Sequence, residues 1–300
     1  MLKYIYLRMS NSFFFTETLF ITSNYKRIVQ GVFYMKIYIM GDIHGSYKPI
    51  RELHMRLNCQ INFYKEENIL ILLGDSGCNY FFNYRDKNFK EKISKYNFTY
   101  FIIRGNHEQR PSICMNQFPQ DWHIEQFFDN NVYVENNYPK IKYALDDISF
   151  YNINEYKTLI IPGAYSVDKW YRLQKGMTWF EQEQLSEEEK QNGINLLKQN
   201  NWTTDLVLSH TCPIIFEPTD LFLSTIDQST VDKSMERYLG NIEYNLNYKV
   251  WCWGHYHVWR EYPRDVEIPS YENPRQLMLF NDGAVELQDL MNNANILNKK

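Results

Sequence analysis

No stretch of the chain approaches the ~18 consecutive apolar residues that a membrane span requires. No Cys-x-x-Cys pair occurs, and the five cysteines, Cys59, Cys78, Cys114, Cys212 and Cys252, are odd in number. A disulfide framework is thereby disfavoured, and a reducing, cytoplasmic setting is expected. There is no excess of positive charge. Against 36 Asp and Glu stand 32 Lys and Arg, a formal charge of −4. That disfavours binding through a general attraction to nucleic-acid phosphates. Alanine is scarce, at four in 300 residues, whereas Asn, Ile, Lys and Tyr abound. The abundant types have AT-rich codons, so this bias is ascribed to the genome and not to function. No internal repeat or low-complexity linker divides the chain. With 44% hydrophobic and 23% charged residues it is read as one globular domain, not a disordered chain.

Residues 1–34 differ from the rest of the chain. Phe13-Phe14-Phe15 is apolar, but Glu17 interrupts the stretch and no small-residue cleavage site comes after it, which argues against a signal peptide. The segment is read as an extension, either disordered or lying ahead of a misassigned start, because Met35 opens the first well-formed strand pattern.

From Met35 onward short apolar runs end abruptly in clusters of Gly, Ser, Asp, Asn or His. They cover 36–40, 68–73, 99–103, 158–161, 205–208, 249–253 and 277–280. Runs of this length between turn residues read as strands buried on both faces. Helical patterns intervene. Ser46 is read as the cap of a helix carrying Ile50, Leu53 and Leu57 on one face. Ser186 followed by Glu189 has capping-box spacing. The stretch 231–239 reads as a helix stopped by Gly240, and 132–153 as two or three antiparallel strands. Asp282-Gly283 reads as a tight turn. The fold class is a layered α/β domain over 35–287, with a tail at 288–300.

The polar residues collect where strands end, and in open α/β sheets ligand sites form in such loops. The clusters are Gly41-Asp42-Ile43-His44-Gly45, Gly74-Asp75-Ser76-Gly77, Arg104-Gly105-Asn106-His107-Glu108, Ser209-His210 and Gly254-His255-Tyr256-His257. Five of the seven histidines lie in them; His54 and His123 are read as packing residues. Each cluster alone reads as an ordinary turn. Together they supply two Asp, one Asn and four His, a donor set suited to divalent transition metals and too large for one ion. Two ions sharing a bridging carboxylate would use it fully. The glycines would permit sharp turns and close backbone approach.

These motifs, in this order, resemble those of the calcineurin-like metallophosphoesterases over roughly residues 35–285. The forms Gly41-Asp-Ile-His-Gly and Arg104-Gly-Asn-His-Glu are most similar to the serine/threonine phosphatase and diadenosine tetraphosphatase branch. Gly163-Ala-Tyr-Ser-Val-Asp-Lys, with Trp179-Phe180, resembles small bacterial and phage members of uncharacterised substrate. The resemblance implies a layered α-β-β-α sandwich. It implies that Asp42, His44 and His257 hold one metal, that Asn106, His210 and His255 hold the other, that Asp75 bridges them, and that His107 is the general acid. Two divalent ions are implied, manganese first, with iron, zinc or nickel as alternatives.

The implied activity is hydrolysis of a phosphate ester by a metal-bridging hydroxide, with monoesters favoured. A phosphodiesterase or nuclease is the rival, and a non-catalytic binding module a remoter one. The expected partner is a phosphorylated substrate, with neither a membrane nor general nucleic-acid binding. Two positions depart from the family pattern. Cys78 stands where an Asp usually orients the histidine, and Asn79 where the phosphatase branch has a phosphate-holding Arg. Arg104, Arg110 and Arg172 are the candidates to supply that charge.

Overall fold

A computed structural model of the chain describes residues 35–60, 62–262 and 276–297; the expectations for 1–34 lie outside the described residues. In chain order the first sheet receives β1 (Met35–Met40), β2 (Glu67–Leu72), β3 (Thr99–Ile102), β4 (Trp122–Phe127), β5 (Asn130–Glu135) and β6 (Ile141–Tyr143). The second receives β7 (Ser149–Ile153), β8 (Tyr156–Ile161), β9 (Leu206–Ser209), β10 (Val250–Trp253), β11 (Arg260–Tyr262) and β12 (Gln276–Leu279). The last strand, β13 (Ala284–Glu286), returns to the first sheet beside β1. The orders are β13-β1-β2-β3-β6-β5-β4 and β11-β12-β10-β9-β8-β7. Strands β1, β2, β3 and β6 run parallel, as do β8, β9, β10 and β12.

Helices α1 (Lys48–Asn58), α2 (Tyr84–Ile93) and α3 (Pro111–Gln117) follow the first three strands. Then come α4 (Lys169–Lys175), α5 (Glu187–Gln199), α6 (Ser234–Asn245) and α7 (Leu287–Leu297). Alternation along the strands decides which side chain meets which layer. Ile37, Ile39, Ile69 and Ile71 fill the space between the sheets with Ile160, Leu206, Leu208 and Val250. Their neighbours Tyr38, Met40, Leu70 and Leu72 meet Ile50 and Leu53 of α1 and Phe89 of α2. On the far side Val207, Trp251 and Trp253 meet Leu197 of α5 and Leu239 and Ile242 of α6. Every central strand is therefore apolar on both faces, and the α-β-β-α layering follows. No helix among the described residues is long and apolar enough to cross a membrane.

Five local expectations are corrected. Ser46 does not cap α1: Tyr47 holds that position without a side-chain bond, and Pro49 in the first turn supplies the preset φ. Gly240 does not stop α6, which runs on to Asn245. A Cβ at Gly240 would lie 3.2 Å from Ile214 Cγ2, so close packing against the short helix Ile214–Phe216 accounts for the glycine. His123 lies on the half-exposed strand β4 and bonds Asn136 at 2.6 Å instead of packing in a core. Asp282-Gly283 joins strands of different sheets, where the Gly283 N–H donates to Asn281 Oδ1 at 2.8 Å. The stretch read as a tail is α7, whose Leu290, Met291 and Ala294 enter the core between the sheets. Two expectations hold. His54 packs among Phe63, Tyr64, Tyr96 and Phe98, and Ser186 with Glu189 forms a complete capping box on α5.

Candidate metal centre

The loops after β1, β2, β3, β9 and β10 meet at one edge of the two sheets. Donor atoms of Asp42, His44 and His257 all lie within 4.8 Å of one another, and so do those of Asp42, Asp75 and His210. The Nε2 atoms of His44 and His257 are 2.9 Å apart. His257 Nε2 is 3.4 Å from Asp42 Oδ2, and His44 Nε2 is 3.9 Å from both Asp42 Oδ2 and Asp75 Oδ2. His255 joins through its ring, whose centroid is 5.0 Å from that of His210, and through its N–H, which donates to Asp42 Oδ1 at 2.9 Å. The seven residues that the resemblance singled out thus come together from both sheets.

The backbone is bent to bring them there. His44, Asp75, His255 and His257 all have positive φ, at 45°, 48°, 73° and 55°. Such conformations cost about 1–3 kcal/mol each away from glycine and persist where surrounding structure enforces them. Gly74, at φ 99°, permits a close approach: a Cβ there would lie 2.1 Å from His210 Nδ1.

The hydrogen bonds test whether a cation fits. His210 Nδ1 lies 2.7 Å from the Leu73 carbonyl, which can only accept, so Nδ1 carries a proton, and in the neutral, metal-binding form of the ring Nε2 presents a lone pair. That lone pair faces Asn106 Oδ1 at 2.8 Å. The Asn106 amide is held in this sense because its Nδ2 donates to Ser166 Oγ at 2.9 Å, and Ser166 Oγ donates to Glu183 Oε2 at 2.5 Å. Two acceptors therefore face each other, and a shared cation satisfies both. Asp42 Oδ2 is also buried, with His257 Nε2 beside it at 3.4 Å. The residues fit a metal pair.

Charges at the site are strongly coupled. Burial opposes ionisation of Asp42, but the facing His210 and His257 outweigh it and hold the carboxyl low. Burial, with Asp42 and Glu108 nearby, pushes Asp75 up. The bond to Asp42 raises His257, whereas burial lowers His44 to about 4.

His107 stands beside the cluster. Its N–H donates to Asp75 Oδ1 at 2.8 Å, and its Nε2 lies 3.9 Å from Asp75 Oδ2 and 3.4 Å from an Arg172 guanidinium nitrogen. Burial, then Arg172, lowers its pKa to about 3, so the ring is neutral here. Cys78 is fully buried in the core against α1 and α2, where burial pushes its thiol up to about 12.

The three candidate arginines separate clearly. Arg104 is buried, donates to the Glu183 carbonyl at 2.8 Å and lies 3.6 Å from Asp146 Oδ1. Arg110 is buried too; it pairs with Glu189 and donates to the carbonyls of Gln182 and Gln184 at 3.0 Å each. Both are committed to internal partners. Arg172 alone adjoins His107, held by Asp168 at 2.7 Å and by the Tyr80 hydroxyl. A cavity of about 490 Å³ opens here, bordered by His44, Asp75, His107, Arg172, Tyr80 and Phe81.

Sequence reasoning marked the stretches holding Ser166 and Trp179 without giving either residue a role, and it missed Glu183, whose Oε2 accepts from the Trp179 indole N–H at 2.9 Å. It also gave no role to Glu108, which accepts from Ser76 Oγ and from the N–H groups of Gly77 at 3.2 Å and Gly105 at 3.1 Å, tying two ligand loops together. Glu108 stood in the Gly105-Asn-His-Glu motif and was findable there. Glu183 carried no such signal.

Two facing sheets with a carboxylate–imidazole cluster for paired metals at one edge define a metal-dependent hydrolase site. The chain belongs to the calcineurin-like phosphoesterase family, whose profile matches residues 35–259, and so to a class of metal-dependent hydrolases of phosphoester bonds. None of the curated proteins matches its sequence. Solved structures of similar fold include the phosphopantetheinyl hydrolase PptH of Mycobacterium tuberculosis, at 12% identity, 83% of this chain, 90% of that one and a TM-score of 0.41. Another is TT1561 of Thermus thermophilus, at 10% identity, 85% of this chain, 95% of that one and a TM-score of 0.45. Likenesses this remote carry nothing about substrate.

Proposed function

We propose that the chain hydrolyses phosphate esters at this edge. Asp42, His44 and His257 would hold one divalent ion, Asn106, His210 and His255 the other, and Asp75 would bridge. The mixed imidazole, carboxylate and amide donors suit manganese, and equally iron, zinc or nickel. When bound, such a pair supplies a water of lowered pKa and neutralises phosphoryl charge. Arg172 would take the place of the missing arginine at position 79 and bind a phosphoryl oxygen. An anion entering between Arg172 and His107 would draw the guanidinium to itself and favour protonation of the ring, so that Nε2 would take a proton from solvent and pass it to the departing oxygen. The observation that carries the reading is the 2.8 Å approach of two acceptors, His210 Nε2 and Asn106 Oδ1.

The sequence favours monoesters. A second cavity, of about 220 Å³ and bordered by His255 and His257, favours diesters, because each phosphate substituent then has its own recess. Rates on p-nitrophenyl phosphate and on its bis ester, with the manganese-loaded chain, decide between them. Failure to cleave either ester with manganese, iron, zinc or nickel confirmed in place would overturn both readings.

A further inference from the structure

Three carboxylates border the smaller cavity: Glu217, Asp232 and Glu236. Two of them have a charged or polar partner. Lys233 Nζ donates to Glu217 Oε2 at 2.8 Å. Asp232 accepts from Gln184 Nε2 at 3.0 Å and from the Ser234 N–H at 2.9 Å. Glu236 differs. One oxygen accepts from Thr211 Oγ1 at 2.8 Å. The other, Oε2, has no hydrogen-bond partner among the described residues, although the residue is only 4% exposed. Buried polar atoms are nearly always paired, so an orphan on a cavity wall asks what fills the cavity.

The rest of the wall narrows the answer. Tyr165, Phe222 and Tyr256 contribute rings, and those of Phe222 and Tyr256 lie nearly parallel, with centroids 6.3 Å apart and planes 20° apart. Ring faces attract cations, and bulky organic ammonium groups are held this way. Lys233 stands 4.8 Å from the Phe222 ring, but its charge is matched by Glu217, so it does not cancel Glu236. A carboxylate with a free oxygen among aromatic rings disfavours a second phosphate and gives an uncharged alcohol no use for the charge.

The geometry points to an ammonium subsite at Glu236, which takes the cationic end of an amino alcohol esterified to the phosphate. The assignment rests on the phosphodiester reading. His107 faces the departing group in the larger cavity, and the retained amino alcohol occupies the smaller one beside His255 and His257.

Tetramethylammonium is the binding probe, with the full-length, metal-free chain as receptor, so the result does not depend on hydrolysis. Calorimetric titration in mildly alkaline buffer should show saturable binding, weakened at least about tenfold by Glu236→Gln, with no competition from potassium or tert-butanol. On the manganese-loaded chain, p-nitrophenyl phosphorylcholine should have a lower KM than the neutral isostere carrying tert-butyl in place of trimethylammonium. Glu236→Gln should erase that difference and Glu236→Asp should restore part of it, which separates a lost charge from a damaged fold. Absence of saturable binding, equal competition by potassium, or a choline preference that survives Glu236→Gln would each overturn the subsite. Cleavage of neither ester while tetramethylammonium still binds would sink the phosphodiester reading and uphold the subsite.

Discussion

The side-chain amide of Asn106 is oriented by the hydroxyl of Ser166, 2.9 Å away, which itself donates to the buried Glu183 at 2.5 Å. Glu183 also receives the Ser166 N–H at 3.0 Å and the Trp179 indole N–H, so its own position is fixed. Outer groups that orient metal ligands typically matter by 10–100-fold in metal affinity. Ser166→Ala should weaken the ion at Asn106, His210 and His255 by about that factor while sparing the ion at Asp42, His44 and His257. Ser166→Thr, which keeps the hydroxyl, should recover part of the loss. Metal titration resolving two affinities is the measurement; parallel loss at both positions would contradict it.

Asp75 is proposed as the bridge, because its Oδ2 lies 3.9 Å from His44 Nε2 and its Oδ1 3.7 Å from His210 Nε2. Asp75→Asn should lower the metal content at both positions. Elemental analysis that finds one position still filled would exclude a bridging role.

For His107→Asn, metal content should be unchanged and activity should fall by about 10²-fold or more on substrates with poor leaving groups. The fall should be smaller on p-nitrophenyl esters, whose leaving group departs without a proton. Equal losses on both would remove the general-acid role.

Arg172 and Arg104 should fail in different ways. Arg172→Ala should raise KM for phosphate esters and leave the melting temperature nearly unchanged. Arg104→Ala empties a buried cation position facing Asp146 and should cost about 3 kcal/mol of stability. Calorimetry and steady-state kinetics on both variants separate the two cases.

Stability should respond to pH through Glu236. Burial lifts its pKa from 4.5 to about 7; the Thr211 hydroxyl and nearby Lys233 oppose the shift, and Glu217 adds to it. The folded chain then holds a proton that the unfolded chain releases, so stability falls as pH rises between those values. The full difference is about 3 kcal/mol. The metal-free Glu236→Gln variant should therefore gain on the wild type in melting temperature as the pH is raised from 4.5 to about 7, with no further gain above 7 and none below 4.5. Parallel curves would show that Glu236 is not shifted.

Strand ends and candidate metal ligands were legible because both are local: apolar runs stop where Asp42, Asp75 and His210 begin. The arginines were not, because three alike residues are sorted only by burial, which pairs Arg104 with Asp146 and Arg110 with Glu189. Gly240 misled because close packing and helix termination call for the same residue. Ser166 and Glu183 lie far along the chain from Asn106; Ser166 stands in the Gly163-Ala-Tyr-Ser-Val-Asp-Lys stretch, to which no role was attached, and Glu183 belongs to no motif. Cys78 stood out in the sequence beside the Gly74-Asp75 motif, but its enclosure in the core against α1 and α2 needed the third dimension.

The loops of the first sheet supply Asp42, His44, Asp75 and Asn106, and those of the second supply His210, His255 and His257. During synthesis the first group therefore leaves the ribosome long before the second. Each of the two three-residue donor groups is completed only by a histidine of the second sheet, His257 or His210, and domains generally fold as units at that stage. Capture of a cation by the assembled geometry is thereby deferred until both sheets have been made.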